Sequence, residues 1–136
     1  MAKTILQKIS FRNTTTEILY NLYMDAKLHR AVIGAPVKIQ MKEGTAFTAY
    51  EDYITGKNLQ LIPGKLIVQS WWASDWGANE PVSTFILLFE QKDNDAIIYM
   101  THANVPEIQY NALKQGWNDF YWKPWKEYLK KGNRKK

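Results

Sequence analysis

The sequence predicts an α+β fold in which one antiparallel sheet packs against a long C-terminal helix. Three observations carry this. Residues 2–11 alternate apolar and polar side chains as a half-buried strand does. Short runs of strand character then recur between turn signals, in the manner of an antiparallel meander. Finally, Leu113, Gly116, Trp117, Phe120, Tyr121, Pro124, Tyr128 and Leu129 recur at intervals of three or four, the pattern of an amphipathic helix. The order of strand, two helices, several strands and a long helix belongs to the α+β class.

After the first strand, Thr14 with Glu17 has capping-box spacing, and Ile18, Leu19, Leu22 and Tyr23 share one face of the helix that follows. A second helix is expected from Ala26 to Ile33, stopped by Gly34 and Pro36. Strands are expected at Thr45–Tyr50, Tyr53–Leu61, Lys65–Ala73, Val82–Gln91 and Ala96–Ala103, for a total of about six or seven. Ile62-Pro63-Gly64-Lys65 suits a type II turn, with Pro presetting φ and Gly accepting a positive one. Within the last helix, Pro124 removes a backbone donor and crowds the carbonyl of Phe120, so a kink or loosened turn is expected there. Gly116 beside Trp117 is expected to let that helix approach the sheet.

The chain has 136 residues, 46% of them hydrophobic and 14% aromatic, which suits one domain, expected over 1–131, and excludes global disorder. No apolar run approaches the roughly 18 residues of a membrane span, and the opening residues do not form a secretory signal. With 0 Cys there is no disulfide or thiolate chemistry, and the cytoplasm is the expected compartment. The net charge of +5 is local: residues 123–136 carry seven bases and one acid, +6, leaving −1 for the other 122. Residues 132–136 therefore read as a basic flexible tail and not as part of a nucleic-acid groove. Trp122 and Trp125 fall away from the Trp117 face at regular helical spacing, close to Lys123 and Lys126. Aromatic and basic residues so interleaved can stack on nucleic acid, but the −1 remainder argues against that partner.

Gly34-Ala35-Pro36, the run Ile54-Thr55-Gly56-Lys57-Asn58-Leu59-Gln60-Leu61-Ile62-Pro63, Ile67-Val68-Gln69-Ser70-Trp71, Ser74-Asp75-Trp76, Val105-Pro106 and Gln115-Gly116-Trp117-Asn118-Asp119-Phe120-Tyr121 stand in an informative order. They resemble the C-terminal domain of activators of the heat-shock protein 90 ATPase, within the START-like (SRPBCC, helix-grip) superfamily. The resemblance runs from the first strand to about Leu129. It implies a curved antiparallel sheet gripping the C-terminal helix, with two short helices after the first strand. It departs from the family's pattern at Trp72, where Arg is frequent, and at Gly77-Ala78-Asn79-Glu80-Pro81, where Pro-Glu-Gly-His is usual.

Candidate chemistry is sparse. The histidines are two, His29 and His102, and no set of His, Asp and Glu has metal-ligand spacing, so no metal site, cofactor or catalytic residue is assigned. His29, beside Arg30, reads as a surface residue. Asp93-Asn94-Asp95 reads as a hairpin turn, because a calcium loop would need further Gly and Glu. Asn13-Thr14-Thr15 fits a glycosylation acceptor, but a helix cap explains it. Trp71 and Trp72 alternate, so one of them faces outward, while the inner one fills the core or lines a cavity.

Two functions follow as expectations. In the first, the chain binds a hydrophobic small molecule between sheet and last helix, with Tyr50, Tyr53, Trp71, Tyr99, His102 and Trp117 as the ligand-binding residues, and is not an enzyme. In the second, implied by the resemblance, it is a cochaperone-like module that stimulates a heat-shock protein 90 type ATPase. The superfamily also hosts cyclases and lyases, but no nucleophile-base pair or phosphate loop is visible here.

Overall fold

The computed structural model describes residues 2–134, and side chains through residue 131. The chain runs β1 (Ala2–Phe11), α1 (Thr16–Met24), α2 (Ala26–Ile33), β2 (Val37–Lys38), β3 (Ala46–Ala49), β4 (Ile54–Ile62), β5 (Leu66–Ala73), β6 (Ser83–Lys92) and β7 (Asp95–Pro106). A short 3-10 turn (Glu107–Gln109) then leads into the last helix. That helix has three parts: α3 (Tyr110–Trp117), a π turn (Asn118–Trp122) and α4 (Lys123–Arg134). The seven strands form one antiparallel sheet in the order β1-β7-β6-β5-β4-β3-β2, so sequence neighbours pair except where β1 joins β7.

Alternation sorts the strand side chains by face. Ile5, Ile9, Phe11, Ile67, Trp71, Phe85, Leu87, Ile98 and Met100 are buried on the inner face, where α1 and the last helix cover them. In β5 Trp71 is buried and Trp72 only half-buried, as alternation requires. The Pro63-Gly64 turn forms as expected, with Lys65 N–H donating to the Ile62 carbonyl at 2.9 Å and Gly64 at φ 72°. Gly34 ends α2 in the left-handed region at φ 71°.

Several expectations are corrected. Thr15, not Thr14, caps α1, its side chain accepting from Ile18 N–H, while the Thr14 hydroxyl is buried and unpartnered. The edge strand β2 carries too few residues to leave an alternation signal. Gly116 brings nothing close to the sheet: a Cβ there would meet only the Phe120 ring, at an ordinary 3.7 Å. The glycine with a steric role is Gly56 in β4, where a Cβ would collide with the Ser70 carbonyl and lie 2.5 Å from the Phe47 ring.

The last helix departs furthest from its sequence pattern. Pro124 has no N–H to continue the ladder, and its ring excludes the carbonyl of the preceding turn. The strain is relieved one residue earlier by a π turn, in which Lys123 N–H donates to the carbonyl of Asn118, five residues back. This wide turn holds one residue more than an α turn and resets the phase. Trp122 consequently stacks on Trp117, centroids 5.9 Å apart at 21°, and Trp125 is fully buried, whereas Phe120 is 57% exposed. The expectation that Trp122 and Trp125 lie away from the buried face is thus overturned. The backbone stays helical through Arg134, which shortens the expected tail, while Lys135 and Lys136 lie outside the described residues.

Candidate functional site: a cleft between the sheet and the last helix

Between the last helix, the β3–β4 turn and the end of β5, the molecule leaves an open cleft of about 550 Å³. Its walls are Tyr50 and Tyr53 from the β3–β4 turn, Trp71 from β5, and Leu113, Gly116, Trp117 and Phe120 from the last helix, with Tyr121 deeper in. Asp75 and Gln109 stand among them. Gly116 adds no side chain to the helical wall, and Trp71 and Trp117 are each only 3% exposed.

The cleft's rigid wall is built from behind. Trp117 stacks on Phe85, centroids 4.4 Å apart at 10°, and lies 5.9 Å from Trp71. Its indole N–H donates to Nδ1 of His102 at 3.1 Å. Because indole nitrogen only donates, the His102 proton sits on Nε2, which faces the Ser83 hydroxyl at 2.7 Å. Ser83 in turn donates to the Trp71 carbonyl at 2.6 Å. The chain Trp117 to His102 to Ser83 to Trp71 runs in one direction and satisfies every member. Burial lowers the His102 pKa to about 3, so the ring is neutral at pH 7.

A second buried chain backs the floor. The Tyr121 hydroxyl and Nε2 of His29 are 3.0 Å apart, and Nδ1 of His29 meets the Tyr23 carbonyl at 2.8 Å. A carbonyl only accepts, so Nδ1 carries the proton and Tyr121 donates to Nε2. The Tyr23 hydroxyl donates to Gln69 Oε1, and Gln69 Nε2 to Asn58 Oδ1, both at 2.8 Å. His29 is therefore a core residue with a pKa lowered by burial to about 4, not the expected surface residue. Burial holds the Tyr121 hydroxyl well above its usual range.

The open wall is strained. Tyr50 and Glu51 both have positive φ, 53° and 59°, in the four-residue β3–β4 connection, a backbone region uncommon for residues other than Gly, Asn and Asp. Such backbone costs of order 1 kcal/mol or more per residue and is retained where the surroundings over-determine it. Here the turn sets the Tyr50 ring 6.1 Å from Phe120, edge to face. The Tyr50 hydroxyl is buried without a hydrogen-bond partner. Thr14 Oγ1 and Trp125 Nε1 share that condition among the described residues, but neither lines the cleft. Burial first, and then the neighbouring Asp75 carboxylate, raise the Tyr53 hydroxyl above its usual range.

Of the six residues expected at the site, the structure brings Tyr50, Tyr53, Trp71 and Trp117 to the cleft. His102 lies one layer behind and holds two of the walls in place. Tyr99 is on the opposite face of the sheet, where its hydroxyl donates to Glu90 at 2.9 Å and Lys8 sits over its ring. It stands three residues from His102 in one strand, so the two side chains cannot share a face. Gly116, Phe120, Leu113 and Asp75 were not anticipated. An opening made by a missing side chain leaves no positive signal in a sequence, although Leu113, Gly116 and Phe120 share one face at ordinary helical spacing.

Residues 13–130 match the family model described as "Activator of Hsp90 ATPase homolog 1-like protein". The human protein named "Activator of 90 kDa heat shock protein ATPase homolog 1" is 26% identical over 121 residues, 89% of this chain and 36% of that protein. The chain thus spans about a third of the length of such curated relatives. Among solved structures, an HSP90 activator from Plasmodium falciparum superposes with a TM-score of 0.80 at 22% identity, covering 95% of this chain and 96% of that one. CalU16 from Micromonospora echinospora gives 0.74 at 18% identity, covering 88% and 71%. These two likenesses establish the helix-grip fold, and the family match establishes the kinship: the chain belongs to the Activator of Hsp90 ATPase homolog 1-like family.

Proposed function

We propose that this domain binds a mostly apolar small molecule in the cleft between the sheet and α3, without transforming it. The observation that carries this reading is the lining itself. Trp71 and Trp117 are locked from behind by a satisfied polar chain, and the cleft beside them is lined by aromatic rings and Gly116. Ligand sites of several hundred Å³ have this character, with apolar walls and a few polar groups that orient the guest. Ser83 and His102 are ill-placed for catalysis: the Ser83 proton is directed at the Trp71 carbonyl, and the adjacent His nitrogen is itself a donor. Titration with the neutral, environment-sensitive dye Nile red tests the reading. Saturable fluorescence enhancement is expected, abolished by Gly116→Leu at unchanged thermal stability. Absence of saturable enhancement in the wild type would refute it.

Family membership supports a second reading, a cochaperone-like role on a heat-shock protein 90 type ATPase in the cytoplasm. A pull-down with such a chaperone, followed by its ATPase rate with and without this domain, decides that reading independently of the dye.

A further inference from the structure

We infer that the cleft selects an organic cation, an amine or quaternary ammonium carried on a ring-containing apolar body, with Asp75 as its counter-ion. The inference rests on the reading of the cleft as a ligand site and adds the charge of the guest. Among the residues lining the cleft, Asp75 is the only charged one, and it stands beside the rings of Tyr50, Tyr53, Trp71 and Phe120. Aromatic faces carry negative quadrupole potential, so a cage of rings with one carboxylate attracts an ammonium group and disfavours an anion. Asp75 lies close enough to Tyr53 to raise its hydroxyl pKa, alongside burial, and its carboxylate keeps acceptor capacity for a guest.

The topology strengthens this. In an antiparallel meander, alternate connections fall at the same end of the sheet. The β3–β4 turn, the β5–β6 loop and the turn after β7 therefore gather at the cleft end. They contribute Glu51, Asp52, Asp75, Glu80 and Glu107, and not one Lys or Arg. Lys3, at the start of β1, is the opposing charge at this end, its ammonium over the ring of Tyr110 at 5.0 Å, so acids still outnumber bases here in a chain whose net charge is +5. The one cation of α3, Lys114, has its ammonium group over the ring of Tyr110 at 5.8 Å, and Tyr110 does not line the cleft. An excess of one sign near a low-dielectric cleft favours ligands of the opposite sign.

The test uses three probes of one shape and different charge: 2-naphthylmethylamine, 2-naphthalenemethanol and 2-naphthylacetate. Dissociation constants are measured at low salt by NMR titration on the wild type and on Asp75→Asn. The amine should bind about tenfold more tightly than the alcohol, the sum of a cation–π and an ion-pair contribution, and the acid should bind worst. Asp75→Asn should bring the amine close to the alcohol and leave the alcohol unchanged. Equal binding of amine and alcohol to the wild type, or an amine preference undiminished in Asp75→Asn, would overturn the inference while the alcohol's own saturation keeps the cleft reading. Failure of all three probes to bind would overturn both.

Discussion

Between Tyr110 and Trp117 the last helix borders open space, whereas from Trp122 onward it presses on a closed aromatic core, although both halves cover one sheet. In the closed half Trp125 lies 6.1 Å from Phe11, 6.4 Å from Tyr23 and 5.2 Å from Trp122, with no exposed surface. In the open half Gly116 contributes no side chain, and the wall opposite comes from the β3–β4 turn and the end of β5. The π turn before Pro124 separates the two regimes. It swings Trp122 and Trp125 inward, while Phe120 stays on the Leu113 and Gly116 face at the cleft. One local irregularity thus lets a single helix anchor the fold at one end and leave a site at the other.

The sharpest way to break this contrast is to empty the closed half. Trp125→Ala should cost about 3–5 kcal/mol, read as a lower urea midpoint, while any surviving folded protein keeps its affinity for cleft probes. In the open half, Gly116→Leu should abolish probe binding with a stability change within about 1 kcal/mol, because the new side chain enters free space.

Acid tests the two buried chains behind the cleft through their histidines. Both folded pKa values, about 4 for His29 and about 3 for His102, lie below the unfolded value of 6.5, so the unfolded state binds more protons. The stabilisation is complete above pH 6.5 and is lost as pH falls toward 4 and 3 respectively. Between pH 7 and 5 each histidine should remove about 2 kcal/mol, and His29→Gln or His102→Gln should remove its own share of the slope in urea unfolding.

The smallest effect is expected at the divide itself. Pro124→Ala permits an ordinary α turn, but that turn would expose Trp122 and Trp125, so packing should preserve the π turn. Acrylamide quenching of the tryptophans should then match wild type. Increased quenching would show that the proline alone imposes the phase.

The strands and the proline-glycine hairpin were legible because each rests on local chemistry: alternation in β1 and β5, fixed φ at Pro63, positive φ at Gly64. A disturbance at Pro124 was legible for the same reason. Its form was not, since a π turn and a kink have the same sequence signature, and the choice between them depends on where the tryptophans find space. His29 was misplaced because α2 has eight residues, and His29 alone is buried among them, for a hydrogen bond supplied by Tyr121 from 92 residues away. Four cleft residues could be anticipated as large aromatics near the end of the sheet. Gly116 and Asp75 could not, because their significance comes from which loops and which helical turn meet there.

The central claim, that the two halves of one helix divide into site and core, is tested most directly by a ¹H–¹⁵N NMR titration with 2-naphthylmethylamine that follows the tryptophan indole N–H signals. The indole signals of Trp71 and Trp117, with the backbone amides of Tyr50, Tyr53 and Gly116, should shift saturably with one dissociation constant while that of Trp125 stays fixed. Shifts centred on Trp122 and Trp125, or none at Trp117 and Gly116, would contradict the account.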